Sequence, residues 1–551
     1  MIKKIKIKNI VLLLSLLMMT GCGFMDCDES DNFTKQEVLD SYVKQLATNV
    51  YGFLKADFCS IDGAMLDAAT DDAVHIYKSS NIQRFVDGTW SANNLVDNVW
   101  GHYYEGIRAA NFYLKETAGL TFDEWKYSDD YEAIMKEFTN YQYEVRFLRA
   151  YFYFELIKRY RNIPFVLDVL AQNEANGVNP ESYEKIAKFI VDECSDLAQI
   201  LPVNYDNFST KEKGRVTRAA AMALKSRVTL YMASPLFSED SEDKWKQAAE
   251  AAYDIIKQKT DLGLDLVPYP QIFNDVNNQK AEVILYRPTG ESGDFEKANF
   301  PIGVEGGKTS TCPTQNLMEA YDMKDGTPFV WNNQSNPYDN RDPRMKYTIV
   351  CNEMKWPVDP VEIWEGGTNG LPLQNATTTG YYLKKYVNNT ISFEAGSTVT
   401  KKQHNWVLFR YGEILLNYAE AMINAFHDPN YKDAVYNMSA REAVNQIRGR
   451  TNISLPGFPS DITEKDFVKR LKNERRVELA FEGHRFWDVR RWKELGQTAN
   501  IYGVKITKNN EVISYEKFLL ETRAVTDNMY FYPIPNTERF KNPNLGQNPG
   551  W

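Results

Sequence analysis

The sequence predicts a mostly α-helical protein, a scaffold of tetratricopeptide-like helix hairpins that carries long irregular loops and a few short strands. Three observations predict this fold class. Apolar residues recur with the 3.6-residue period of a helix in two blocks of the chain. Alanines stand where paired helices would cross, with Tyr and Phe between them. Between the blocks, the chain is rich in proline and loses this period.

Three helices are predicted in the first block, near residues 147–157, 219–231 and 245–256. The first has apolar residues on two faces, which predicts that it lies between neighbouring helices. The second is alanine-rich and ends shortly before Pro235, because proline cannot continue a helix.

The second block predicts helices over residues 413–424, 440–450 and 467–481. Between the blocks, only residues 282–286 and 381–387 are typical of strands. A stretch this long and irregular inside a folded protein is more often a functional surface than a connection. A helical scaffold with aromatic-bearing loops favours a binding protein over an enzyme.

Length and composition indicate a folded body of more than one unit. The chain has 551 residues, of which 43% are hydrophobic and 25% charged, so wholesale disorder is excluded. We predict a leader over residues 1–21, an N-terminal helical region over 22–260 and a C-terminal region over 261–551. The formal net charge of −10 predicts a poor nucleic-acid binder, because an acidic protein does not displace the counterions of the phosphates.

The first 22 residues are typical of a lipoprotein leader. Residues 1–9 are basic and residues 10–19 are almost all apolar, too short to span a bilayer. Gly21 directly precedes Cys22, and small residues before a cysteine let a lipoprotein signal peptidase approach the backbone. We therefore predict that Cys22 is acylated and becomes the mature N-terminus. The alternative is an ordinary secreted protein cut at a small-residue site.

Cofactor chemistry has little support in the sequence. The remaining cysteines form no C-x-x-C pair and are interpreted as idle thiols, and the five histidines show no zinc-ligand spacing. No phosphate-binding loop or nucleophile elbow is present. We predict no cofactor and no metal site; Asp-rich loops leave a structural calcium ion open.

A series of motifs runs in one order through nearly the whole chain. The motifs are Trp100-x3-Tyr104-x2-Ile107-x2-Ala110-Asn111, Glu144-x-Arg146-x2-Arg149, Gly214-Arg215-Val216-Thr217, Arg341-Asp342-Pro343-Arg344, Gly380-Tyr381-Tyr382, Arg410-x2-Glu413, Asn417-Tyr418-Ala419-Glu420, Asn445-x-Ile447-Arg448-x-Arg450, Glu474-Arg475-Arg476-x-Glu478, Gly483-His484-Arg485-x2-Asp488 and Gln547-Asn548-Pro549-Gly550. Because these motifs occur in this order and follow a lipoprotein signal, the sequence resembles the SusD/RagB family of outer-membrane lipoproteins.

The resemblance implies a glycan-binding lipoprotein of Bacteroidota that faces the cell exterior. Its acyl chains would hold it in the outer membrane, and it would form the lid of a SusC-like TonB-dependent transporter, to which it would deliver oligosaccharide. No catalytic residue is predicted. Acid–arginine clusters on helices usually belong to the scaffold, and we interpret Glu413, Glu420, Glu474 and Glu478 in this way.

Ligand-binding residues are expected in the loops, because sugars present apolar faces to aromatic rings and hydroxyls to polar groups. The first candidate loop precedes the first family helix, and each of its polar residues has an alternative role as a cap, turn or packing residue. The second candidate region is the central irregular one, where Arg341 has an alternative role in locking its loop. The candidates are Asp71, Asp72, His75, Tyr77, Trp90, Cys312, Trp331, Arg341 and Tyr382.

Three alternatives remain open at the level of sequence. One is a RagB-type peptide receptor on the same transporter architecture. Another is a surface glycoside hydrolase, which needs two carboxyl groups at a set separation. The third is a structural lipoprotein that braces an envelope complex.

Overall fold

A computed structural model describes residues 35–123, 126–208, 212–239, 241–273, 281–333, 336–394 and 401–551. The predicted leader and the lipidation site at Cys22 lie outside these ranges. None of the helices within them is both long and apolar enough to cross a membrane.

Helices make up most of the regular structure. They are α1 (Lys35–Tyr51), α2 (Gln83–Asp87), α3 (Trp100–Glu116), α4 (Tyr131–Tyr160), α5 (Gln172–Ala175), α6 (Tyr183–Ile200), α7 (Arg218–Ala233), α8 (Glu242–Lys257), α9 (Asp294–Asn299), α10 (Gln315–Ala320), α11 (Met345–Thr348), α12 (Tyr411–Phe426), α13 (Ala440–Arg448), α14 (Glu464–Glu478), α15 (Arg485–Arg491) and α16 (Asn536–Lys541).

The strands form small two-stranded sheets, all antiparallel. Their pairs are β1 (Ala73–His75) with β5 (Thr311–Pro313), β2 (Ile163–Pro164) with β3 (Pro180–Glu181), β4 (Val283–Pro288) with β8 (Asn405–Arg410), β6 (Ile349–Val350) with β7 (Tyr382–Leu383), and β9 (Asn500–Asn509) with β10 (Val512–Thr522).

The long helices pack as one continuous stack. Helix α4 contacts α3 and α6, α6 contacts α7, and α7 contacts α8. The stack then continues from α8 directly to α12, which is followed by α13 and α14. The two helical blocks predicted from the sequence therefore meet in space, and the irregular region of about 150 residues between α8 and α12 is an insertion between neighbouring helices. The predicted fold class is confirmed.

Sequence features explain where several of these helices begin and end. Helix α7 ends at Ala233, just before Ser234 and Pro235, as predicted. Helix α13 begins with a capping box, because the Ser439 side chain accepts from the Glu442 backbone N–H while the Glu442 side chain accepts from the Ser439 backbone N–H.

The β9–β10 hairpin is a feature that our sequence analysis did not predict. Val504 and Ile506 alternate with polar residues and face the protein, which is the period of a half-buried strand. Gly503 interrupts this alternation, and its missing side chain makes room for the ring of Phe518 on the paired strand. The glycine therefore breaks the alternating pattern that predicts a strand, although the ring of Phe518 needs the space that it leaves.

Buried arginine–carboxylate pairs tie the inserted region to the helical stack. The carboxylate of Glu478 on α14 accepts from Arg344 at 2.8 Å, from Arg410 at 2.8 Å and from Arg450 at 2.6 Å. Glu282, just before β4, accepts from Arg410 and Arg450 as well. Because all five side chains are buried, each charge depends on its partners for the solvation that water would supply. We call these five residues the Glu478 network.

A second group of buried carboxylates is also held in its ionised form. Burial alone would raise the pKa of Glu155, but Lys158 and Arg159 outweigh it and lower the pKa to about 2. In the same way Arg491 lowers the pKa of Glu420 to about 2. These structural ion pairs confirm the scaffold role predicted for Glu420.

Stability is expected to fall steeply in acid. The pKa values of these two carboxyls lie below the values near 4 that carboxyls have in an unfolded chain, so each contributes roughly 2–3 kcal/mol above pH 4 and loses it as the pH falls towards 2. Asp57 acts in the opposite sense, because burial raises its pKa to about 6, and stability should decline as the pH rises from about 4 to 6. We therefore expect the melting temperature, measured by circular dichroism, to be highest near pH 4, where the acid loss ends and the Asp57 decline begins. A melting temperature at pH 3 as high as at pH 4 would contradict the ion-pair assignment.

Candidate functional site

The two candidate loop regions meet at the β1–β5 sheet. Val74 pairs with Cys312 and His75 with Thr311, and the Ile76 backbone N–H donates to the Ser310 carbonyl at 3.2 Å. Residues more than 200 positions apart in the sequence thereby share one small sheet. This sheet positions Tyr77, one of the two half-exposed side chains among the predicted ligand-binding residues.

Tyr77 lies at the solvent end of this sheet. Its hydroxyl donates to the backbone carbonyl of Lys308 at 2.5 Å, and its ring lies 5.5 Å from the His75 ring at a tilt of 55°. Both contacts hold the ring while one part of it stays exposed. A fixed, half-exposed aromatic ring is the kind of surface on which the apolar face of a sugar stacks.

Charged residues neighbour Tyr77 in the sequence and at its backbone contact. Lys78 and Lys308 are exposed, and the Lys78 ammonium lies 3.1 Å from the carboxylate of Glu521 on β10. We call Tyr77, Lys78, Lys308 and Glu521 the Tyr77 surface. The three charged members were missed by our sequence analysis, because exposed Lys and Glu occur throughout the chain and carry no distinguishing signal.

The other members of the sheet lie beneath this surface. His75 and Cys312 are buried, and burial lowers the pKa of His75 to about 4 and raises that of the Cys312 thiol to about 12. Both are therefore neutral at pH 7. Tyr382 is also buried, and its hydroxyl donates to the Asn369 carbonyl. These three side chains are buried and hold the loops in place. Their contact with a ligand stays a prediction.

Asp71 and Asp72 are held by arginines. Asp71 accepts from Arg485 at 2.9 and 3.0 Å and pairs with Arg476 at 2.9 Å, whereas Asp72 pairs with Arg476 at 2.6 Å. Burial would raise the pKa of Asp71, but the two guanidinium groups outweigh it and lower the pKa to about 2. Burial and the neighbouring Asp71 charge raise the pKa of Asp72 despite Arg476. The pair fastens its loop to α14 and α15, and neither carboxylate is exposed to a ligand.

Trp90 is part of the core. Its ring packs edge-on against Trp551 at 4.5 Å and against Tyr532 at 5.3 Å, and only 2% of the residue is exposed. These contacts support the packing alternative for Trp90.

Arg341 has the structural role that was its alternative, because it fastens its loop to the end of α10. Its guanidinium donates to the backbone carbonyls of Met318 and Tyr321, both at 2.6 Å, and lies 3.7 Å from the centroid of the Phe329 ring. Trp331 is half-buried beside Phe329, at a centroid distance of 6.4 Å. The rings of Phe329 and Trp331 are both partly open to solvent, and neither residue is part of the Tyr77 surface.

The arginine contacts of the motif carboxylates, and the pKa of Glu478, argue against the hydrolase alternative. Glu478 and Glu474 each accept from two or more arginines, and Glu413 is bound through both oxygens by Arg227. Burial would raise the pKa of Glu478, but Arg450, Arg410 and Arg344 outweigh it and lower the pKa. A glycosidase acid needs the opposite shift so that it carries a proton at working pH. Their contacts make these carboxylates structural.

Metal and thiol chemistry have no site among the described residues. No group of three or more His, Cys, Asp or Glu side chains in these ranges converges as metal ligands. Cys59, Cys194, Cys312 and Cys351 are unpaired, and burial raises the pKa of each thiol. The interpretation of these cysteines as idle thiols agrees with their environments. The absence of a cofactor stays a prediction.

Two family models together match most of the chain. One, described as the SusD family, matches residues 272–551. The other, described as starch-binding and associating with the outer membrane, matches residues 24–230.

Individual proteins are similar over more than nine-tenths of their length. The chain is 23% identical to SusD-like protein P2 of Formosa agariphila, with 100% of both chains covered. A SusD-like protein of Bacteroides fragilis has a similar structure, with a TM-score of 0.75 at 25% identity over 93% of this chain and 97% of that one. A SusD-like carbohydrate-binding protein of the same species also has a TM-score of 0.75, at 24% identity over 92% and 99% of the two chains.

Proposed function

The chain belongs to the SusD family, and from this membership we propose that it is a non-enzymatic receptor that binds glycans at the outer membrane. Captured oligosaccharide passes unaltered into a SusC-like TonB-dependent transporter, on which this chain acts as the lid. The observation that carries the glycan part is the match of residues 24–230 to a starch-binding model associated with the outer membrane.

The geometry of the Tyr77 surface supports a role in binding. The ring of Tyr77 is held by its hydroxyl bond to Lys308, so little conformational entropy is lost when a sugar stacks on it. Lys78, Lys308 and Glu521 supply hydrogen-bonding groups for hydroxyls at its edge. Because this surface is open and few groups meet the ligand, affinity is modest, which suits a receptor that must release its cargo.

Binding is tested by affinity electrophoresis of the purified chain, without its leader, through gels that contain single polysaccharides such as starch, laminarin, xylan and pectin. We expect retardation in at least one of these gels and none in a gel without glycan. Unchanged mobility in every glycan gel, together with clear binding of peptides in solution, would contradict the carbohydrate assignment and favour the peptide receptor.

Anchoring through Cys22 is expected to decide where the protein resides. A Cys22→Ala variant lacks the thiol that acyl transfer requires, so we expect it to leave the membrane fraction and to lose labelling by a palmitate analogue in growing cells. The matched control is Cys27→Ala, five residues away, which should remain labelled and membrane-bound. Equal labelling of the two variants would exclude Cys22 as the acylated residue.

Lid function implies a stable contact with the barrel partner. We expect the lipidated chain, solubilised from outer membranes in mild detergent, to co-purify with one TonB-dependent transporter at a constant ratio. Purification without any barrel protein would contradict the partner assignment while leaving the glycan assignment intact.

A further inference from the structure

A pocket on the helical scaffold shares no lining residue with the Tyr77 surface. It has a volume of about 350 Å³ and is bounded by helix α3, the loop after β2 and the C-terminal helix α16. Small-molecule sites typically begin at about 300 Å³. None of the ligand-binding candidates from the sequence lines it.

The floor of this pocket is aromatic and rigid. Trp100 and Tyr104 lie one helical turn apart on α3, with ring centroids 5.2 Å apart. The Tyr104 hydroxyl donates to the Pro164 carbonyl at 2.8 Å, which fixes the ring against the loop. Ile107 and Leu545 extend the apolar part of the floor.

The rim carries polar groups that the protein leaves available. The carboxylates of Glu105 and Asp168 make no hydrogen bond or ion pair to any described residue, and both side chains are exposed. Arg108 uses one guanidinium nitrogen to bind the Leu170 carbonyl at 3.0 Å, which holds the group at the rim with its other donors available. An aromatic floor below carboxylate and guanidinium groups matches a ring that has apolar C–H faces and hydroxyl edges.

Gly101 lines this pocket. It is the second residue of α3, and a Cβ built on it would meet no atom within 4 Å. Glycine is a poor helix former relative to residues with a side chain, so the helix gains nothing from it. A larger residue at this position would project into free space at the pocket instead of into the core.

We propose that this pocket, which we call the α3 pocket, binds one or two sugar units independently of the Tyr77 surface. The half-exposed ring of Tyr104 stacks against the sugar and is backed by the buried Trp100. Glu105, Arg108 and Asp168 bind the sugar hydroxyls. The chain thereby has a second saccharide site on its helical scaffold.

The test uses ligand-observed saturation-transfer NMR in a Tyr77→Ala background, so that a signal does not come from the Tyr77 surface. The probes are the methyl β-glycosides of glucose, galactose, xylose and galacturonic acid. We expect at least one probe to receive saturation. Absence of a signal with all four probes overturns the proposal, whatever the Tyr77 surface binds.

Matched glycine variants locate the signal. Gly101→Phe fills the α3 pocket and is expected to abolish saturation transfer while leaving the melting temperature unchanged or slightly raised. Gly496→Phe is the control, because a side chain there also meets no atom within 4 Å and Gly496 does not line the pocket. Asp168→Ala is expected to weaken binding about tenfold, since a charged hydrogen-bond acceptor is lost. A signal that persists in Gly101→Phe would overturn the assignment.

Discussion

A Glu478→Ala variant is expected to lose about 3–5 kcal/mol of unfolding free energy, because it leaves buried arginines without the charge that compensates them. Arg344, Arg410 and Arg450 all donate to this one carboxylate, and each is almost fully buried. Guanidinium unfolding followed by circular dichroism measures the loss.

A graded series makes this result interpretable. Glu478→Gln keeps the shape of the side chain and removes its charge. Its unfolding free energy should therefore lie between those of the alanine variant and the unaltered chain. The control is Lys185→Ala, which breaks an exposed pair with Glu181 and should cost less than about 1 kcal/mol. Equal stability of Glu478→Gln and Lys185→Ala would contradict the structural role of the Glu478 network.

The largest expected effect on binding comes from Tyr77→Ala. Loss of the stacking ring should weaken the affinity for the recognised glycan by about 1–2 kcal/mol, which is roughly five- to thirtyfold. Because the residue lies at the surface end of its sheet, the melting temperature should change little. Isothermal titration calorimetry with the glycan found by affinity electrophoresis gives the dissociation constants.

Two further tyrosine variants separate stacking from general effects. Tyr77→Phe keeps the ring but loses the bond to Lys308, so we expect a smaller loss than in Tyr77→Ala. Tyr127→Ala changes a tyrosine that is 93% exposed and lies on no element of the site, and it should bind as the unaltered chain does. A folded Tyr77→Ala protein with unaltered affinity would remove the Tyr77 surface from the proposed function.

The helical part of the fold was accessible to sequence analysis because its signal is local. Helix α12 was predicted over residues 413–424 and spans Tyr411–Phe426, since each turn of a buried helix repeats the apolar pattern. The same holds for the acid–arginine motifs, where helical spacing already indicated structural ion pairs. What the sequence does not contain is the order of packing, in which α8 neighbours α12 across the inserted region.

The candidate site was less accessible because its contacts are long-range. Asp71 has the residue type and loop context of a sugar ligand, but its partners Arg476 and Arg485 lie about 400 positions away. Trp90 is similarly covered by Trp551, the last residue in the sequence. Residue type alone therefore did not separate the buried candidates from the half-exposed Tyr77, whose position depends on the pairing of β1 with β5.

The central claim is that this chain grips a glycan without altering it. Calorimetric titration of the recognised polysaccharide, followed by chromatography of the same sample after prolonged incubation, tests both halves of the claim at once. We predict saturable heat of binding and a chromatogram identical to that of the untreated glycan. New reducing ends, or no heat with any polysaccharide tested, would contradict the account.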